Sequence, residues 1–347
     1  QFRNRESIGI PTIAAELNVR LVLEGSVRTA GNRIRISVQL VDTDKDQTLW
    51  SERYDRSLDD IFEVQDEISA IICNATSVKI SGEENVRLAR LLPRDLEAYD
   101  KLLKGQQHVF RYTRDDMRRA RELYEAAADI DPRYARALSS IAQTLNFEWL
   151  FSWADESEET LDYALSIAQE AVSLDQGDAR GYAGVGFVSL YQKKHDASIR
   201  AYERALQLNP NDADVIADLA DTYAHCGRSE EAVTLLKRAM HLNPFYPDEY
   251  LWNLGGAYYN LKQYEDAIDA VNQMNNPTEG SRILAASYAQ LGQLDIAREH
   301  ARRTLESHPD FSTNSAASSG LVRQTLPTMS SSTPPNWPNS ASTTTPF

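Results

Sequence analysis

Two runs of sequence, AYERALQLNP ending at Pro210 and LLKRAMHLNP ending at Pro244, lie 34 positions apart. Ala205, Leu208, Asn209 and Pro210 return as Ala239, Leu242, Asn243 and Pro244, while Tyr202 maps onto Leu236 and Gly186 onto Ala220. Small residues at fixed phases of such a period mean stacked helical hairpins, each burying its apolar face against its neighbours. An array of this kind offers a surface to a partner rather than a pocket for chemistry.

Each period reads as a first helix, a short turn, a second helix, and an Asn or Asp followed by Pro, which cannot continue a helix. From Ala179 to Asp212 the first helix carries Tyr182, Val185 and Gly186 on one face. Gly186 lets the second helix, with Ile199, Tyr202 and Ala205 at three- and four-residue spacing, approach closely. The next period places Leu219, Ala220, Tyr223, Gly227, Ala232, Leu236, Ala239 and Pro244 in order. This order resembles the tetratricopeptide repeat. Leu254, Gly255, Tyr258 and Ala267 continue the phase after a step of 35, and Leu284, Ala285, Tyr288, Gly292, Ala297 and Pro309 after a further 30. The shorter step falls where QMNNPTEG is expected to truncate a second helix. In the other direction Ala120, Tyr124 and Ala127 precede Ala164, Ala168 and Ala171 by 44, so ten additional residues are expected around 146–159. Six repeats follow within 93–311, at about 95–132, 133–178, 179–212, 213–247, 248–277 and 278–311. The resemblance implies a mostly α, right-handed solenoid whose first helices line the concave face.

Residues 20–56 change period from 3.6 to 2: Ile34, Ile36, Val38 and Leu40 alternate with Arg33, Arg35, Ser37 and Gln39. TAGN supplies a hairpin turn before them, QTLWSERYDR a further extended run, and Ile61, Val64 and Ile68 a helix over 61–80. With a short helix near Pro11 to Leu17, residues 1–92 read as a small α/β unit. LEGSVR, LWSERYDR and IFEVQDEI resemble the TolB amino-terminal-like domain that precedes tetratricopeptide arrays in bacterial signalling proteins. In that family the pair follows a class III adenylate or guanylate cyclase, a winged-helix or a Ser/Thr kinase domain. The resemblance therefore implies part of a longer protein, its α/β domain truncated and its sheet edge unpaired.

The net charge is −15, and residues 94–311 hold 23 basic and 36 acidic side chains. Such a field disfavours nucleic acid and favours a basic or apolar protein or peptide. No run is long and apolar enough for a membrane helix, and Cys73 and Cys226 lie in different units, so a cytoplasmic setting without disulfides is expected. There is no phosphate loop, nucleophile elbow or HExxH helix, so no catalysis, cofactor or metal site is expected within these residues. His225 and Cys226 are adjacent and diverge by about 100 degrees on a helix, which suits no metal.

First-helix residues that point away from the second helix are the expected lining for a partner: Arg180, Phe187, Tyr191, Asp221, His225, Trp252 and Tyr259. Phe147, Trp149, Phe151 and Trp153 cluster in the insertion, either as binding anchors or as the core of a lengthened helix. Some tetratricopeptide domains clamp a terminal carboxylate with Lys and Asn. Ala183, Phe187, Ala217 and Asp221 stand at those positions here, which disfavours that mode. From Ser312 onward 24 of 36 residues are Ser, Thr, Pro or Asn and Arg323 is the one charge, the signature of a disordered tail or of a frameshift.

Overall fold

The computed structural model describes residues 9–57, 60–76, 95–109, 111, 113–151, 153 and 157–307. The expectations for the tail at 312–347 lie outside them.

Helix α1 (Ile10–Leu17) leads into an antiparallel sheet of β1 (Leu21–Ala30), β2 (Arg33–Asp42) and β3 (Gln47–Ser57) in the order β1-β2-β3. The alternating pattern of β2 works as period 2 requires: Ile34, Ile36, Val38 and Leu40 are buried, and Arg33 and Arg35 face solvent. Helix α2 (Ile61–Thr76) packs on β3, closing a small core of Ile34, Ile36, Val38, Tyr54 and Val64. Arg20 Nη2 lies 2.6 Å from Asp42 Oδ2, and this guanidinium holds the buried carboxyl below the usual carboxylate range. Among the described residues β1 has one sheet neighbour. Its Leu23 and Val27 pair with the buried Leu40 and Ile36, yet are 47% and 62% exposed.

Twelve helices follow among the described residues, in sequential pairs: α3 (Leu96–Val109) and α4 (Arg114–Ile130), α5 (Ala135–Leu150) and α6 (Ser157–Leu174), α7 (Ala179–Tyr191) and α8 (His195–Leu208), α9 (Ala213–His225) and α10 (Ser229–Leu242), α11 (Asp248–Asn260) and α12 (Tyr264–Asn272), α13 (Ser281–Gln290) and α14 (Leu294–Ser307). They fall into two compact units, Gln1–Leu219 with Arg238–Tyr246 and Ala220–Lys237 with Pro247–Phe347.

In the first unit the repeat signature is a packing code. Ala205 is fully buried, Tyr202 is 1% exposed, and a Cβ on Gly186 would lie 2.8 Å from the Tyr202 ring. Glycine is what admits the aromatic ring of α8 to the backbone of α7. The ten additional residues expected around 146–159 are spread over their hairpin. Helix α5 has 16 residues and α6 has 18, against 13 and 14 in α7 and α8, so both helices and their connection share the insertion. Helix α5 packs on both α6 and α7.

In the second unit, Gly227 adopts φ +78° and lets the backbone reverse after α9, with Arg228 N–H donating to Tyr223 O at 2.8 Å. The second helix preceding the 30-residue step is short, as expected: α12 has nine residues, followed by a 3₁₀ turn at Pro277–Gly280. The carboxylate of Asp248 at the start of α11 holds that turn, accepting from Asn275 N and Nδ2 at 2.9 and 2.8 Å and from Asn276 N at 2.9 Å.

The first turn of α4 is built around Asp116. Its backbone N–H donates to Thr113 Oγ1 at 3.1 Å, the hydroxyl returns a bond to Oδ2 at 2.8 Å, and His108 Nδ1 stands 2.7 Å from Oδ1. His108, then Thr113, pulls the carboxyl down to about 2. Arg302 and Arg303 pull Glu299 on α14 to about 2 as well. A carboxylate whose pKa falls on folding binds its proton more readily in the unfolded chain, so its contribution is complete above about pH 4 and is lost as pH falls towards 2. Stability should therefore decline across that window, and Asp116→Asn should flatten the decline, measured as urea midpoints at each pH.

Candidate partner-binding face

Helices α5 and α7 are the first helices of consecutive hairpins in the first unit, and their C-terminal ends converge on a set of aromatic rings. Trp149 meets Tyr191 at a centroid distance of 4.5 Å and Phe187 edge-on at 6.3 Å, and Phe187 lies 4.7 Å from Tyr191. The spacing on α7 explains the meeting, because Phe187 and Tyr191 are one turn apart on one face. All three are half-buried, packing inward on the core that holds Leu145 and Val188 while part of each ring reaches solvent. The lengthened end of α5 supplies the third ring. Phe147 stacks on the exposed Phe151 at 6.2 Å, and Phe151 on Trp153 at 4.8 Å. Arg114 anchors this extension by donating from Nη2 to Trp153 O at 2.8 Å, and Arg121 pairs with Glu148. The aromatics of the insertion pack on the core and leave part of their rings exposed.

The opposite, N-terminal ends of the same two helices are basic. Arg136 and Arg180 are the second residues of α5 and α7, each half-buried. Asp178, just before α7, is 2% exposed and fully engaged: Oδ1 accepts Arg180 N–H at 3.0 Å as the N-cap, and Oδ2 accepts the Ser139 hydroxyl at 2.7 Å. This carboxylate pins α7 to α5. Burial, and next the charge of Arg180, push the Arg136 guanidinium below its ordinary value. Burial likewise pushes the Tyr134 phenol up.

The remaining expected lining residues, Asp221, His225, Trp252 and Tyr259, lie in the second unit. Asp221 is 8% exposed and Tyr259 4%, so neither is open to a partner. Tyr259 packs its ring 5.5 Å from Tyr264, a contact that a helix-face count on α11 alone does not encode. His225 Nδ1 lies 3.0 Å from Asp221 O and 3.5 Å from its Oδ1, within one helical turn. Trp252 is half-buried and lies beneath Arg282, whose guanidinium is 5.6 Å from the ring centroid. Arg136 did not figure among the expected residues. The signal was available, since it precedes Arg180 by the same 44 residues that separate Ala127 from Ala171.

A tetratricopeptide-repeat model matches residues 189–254. The crystal structure of the APC/C hetero-tetramer Cut9-Hcn1 superimposes with a TM-score of 0.52 at 21% identity, covering 66% of this chain and 43% of that one. The helical array is a tetratricopeptide-repeat fold. Its signature positions Ala205, Ala220, Ala232, Leu236 and Ala239 are all fully buried, so a larger side chain at any of them would have to displace packed neighbours. Among curated proteins, putative adenylate cyclase 3 of Rhizobium meliloti (strain 1021) is 36% identical over 192 residues, 55% of this chain and 33% of that protein. Small glutamine-rich tetratricopeptide repeat-containing protein 2 of Mycosarcoma maydis is 26% identical over 121 residues, 34% of each. The peroxisomal targeting signal receptor of Candida albicans (strain SC5314 / ATCC MYA-2876) is 30% identical over 105 residues, 30% of this chain and 18% of the receptor. The chain spans about a third of the length of the first two. Among the described residues no helix is long and apolar enough to cross a membrane, and no three His, Cys, Asp or Glu side chains converge as a metal site.

Proposed function

We propose that this chain is the interaction and regulatory region of a bacterial multidomain signalling protein, and that its tetratricopeptide repeats bind a protein or peptide on the face formed by their first helices. The observation that carries this is the half-exposed cluster of Trp149, Phe187 and Tyr191 on α5 and α7. Aromatic rings fixed by neighbours and open at one edge give a large contact area at small entropic cost, as binding anchors require. The repeats supply the surface, and the α/β unit, read as TolB-like, links it to an output domain. A second reading, favoured by the similarity to putative adenylate cyclase 3, makes that output domain a nucleotide cyclase.

The anchors predict a test. The full chain should select peptides with a large apolar residue from a displayed random library. The variant Phe187→Ala/Tyr191→Ala should lose that selection while its helical circular dichroism is unchanged. Equal selection by both proteins would reject the aromatic face as the docking site.

A further inference from the structure

The aromatic rings are one end of the α5–α7 face; the other end carries the guanidiniums of Arg136 and Arg180, and the charge of the buried Asp178 acts on Arg136 without forming a salt bridge. Among the described residues neither Arg136 nor Arg180 has an acidic partner within salt-bridge distance, and Arg136 Nε is buried with no hydrogen-bond partner. Two further donors at this end of α5 are in the same condition. Tyr134, 5% exposed, and Ser140, fully buried, each hold a hydroxyl without a protein partner. The nearby carboxylate of Asp178 is committed to the α7 N-cap and to Ser139. Arginine does not shed its proton in proteins, so burial of this group is relieved by an anion rather than by neutralisation.

We infer that α5 and α7 form a bipartite peptide site, in which Arg136 and Arg180 take a side-chain carboxylate while Trp149, Phe187 and Tyr191 take a large apolar side chain of the same segment. This rests on the docking face proposed above and names the chemistry of its occupant. Charge complementarity selects the carboxylate. The summed negative charge of the repeats favours a basic partner at long range, but that field is screened beyond about 8–10 Å, and a group seated between two guanidiniums responds to them. The distance follows from the helix. Arg180 to Phe187 and Tyr191 spans about 10–16 Å at the helical rise, which an extended peptide covers in roughly three to five residues. The Lys and Asn clamp expected at Ala183, Phe187, Ala217 and Asp221 is absent from this sequence, and the arginine pair lies outside those positions.

The test uses the full chain and synthetic peptides carrying one tryptophan and one glutamate at varied separation in a glycine-serine background. Affinity should peak near the predicted separation. Glutamate→glutamine in the peptide, or Arg136→Gln or Arg180→Gln in the protein, should each weaken binding about tenfold. Combined, peptide and protein changes should cost no more than either alone, because they remove the same contact. Arg180→Lys, which keeps the charge and loses the planar fork, should retain part of the affinity and guards against misreading a folding defect. Tryptophan-dependent binding that ignores the glutamate would overturn the carboxylate site and leave the aromatic face standing. Binding indifferent to the tryptophan as well would sink both readings. Tighter binding of phosphoserine than of glutamate peptides would show the anion to be phosphate, and the carboxylate assignment would fall.

Discussion

Replacement of Tyr202 by alanine should lower stability by about 3–5 kcal/mol, the cost of emptying a fully packed aromatic site. The ring is 1% exposed and fills the space that Gly186 leaves on α7. Gly186→Ala alone should cost about 1–3 kcal/mol, because the new methyl group would lie 2.8 Å from a ring that has no room to withdraw. The two changes should not add. With the ring gone the methyl group meets no obstacle and fills part of the hole, so the double variant should be more stable than the sum of the single losses predicts. Urea midpoints of the four proteins close this cycle, and strict additivity would mean that the two helices do not meet as described.

Asp178→Ala should cost about 2–4 kcal/mol from two separable losses. The α7 N-cap contributes about 1 kcal/mol, and the Ser139 hydroxyl, left buried without its acceptor, adds about 1–3 kcal/mol. Asp178→Asn keeps a capping oxygen and a polar group facing Ser139, and should recover most of the difference. Thermal unfolding distinguishes the three proteins. An alanine variant that melts with the wild type would show that the carboxylate's hydrogen bonds contribute nothing, and an asparagine variant that melts with the alanine one would show that its amide replaces neither bond.

Much of this fold can be read from spacing because helical repeats are local objects. The step from Pro210 to Pro244 marks where helices end, and the small residues at fixed phase mark where they touch. The strands are legible in the same way, since Ile34, Ile36, Val38 and Leu40 alternate with polar residues. What spacing does not contain is the distribution of an insertion. Ten additional residues are countable, but whether they lengthen α5, α6 or the connection depends on which side chains find cover, and Arg121 with Glu148 and Arg114 with the Trp153 carbonyl decide it. The candidate site divides similarly. Phe187 and Tyr191 are visible as one helical stripe, and Trp149 as part of an aromatic run. Their convergence is tertiary. Tyr259 was misplaced because its burial comes from a partner outside its own helix, Tyr264.

The nine-residue α12 bears on how the second unit comes apart. In a repeat array each hairpin is held by its neighbours, so cooperativity passes along the chain through the helix interfaces, and a short helix transmits less of it. The carboxylate of Asp248 partly compensates by fastening Asn275 and Asn276 to the start of α11. That single acidic group is thus a coupling element: without its hydrogen bonds, as in Asp248→Ala, the turn should loosen, and the amides of α13 and α14 should exchange with solvent before those of α11.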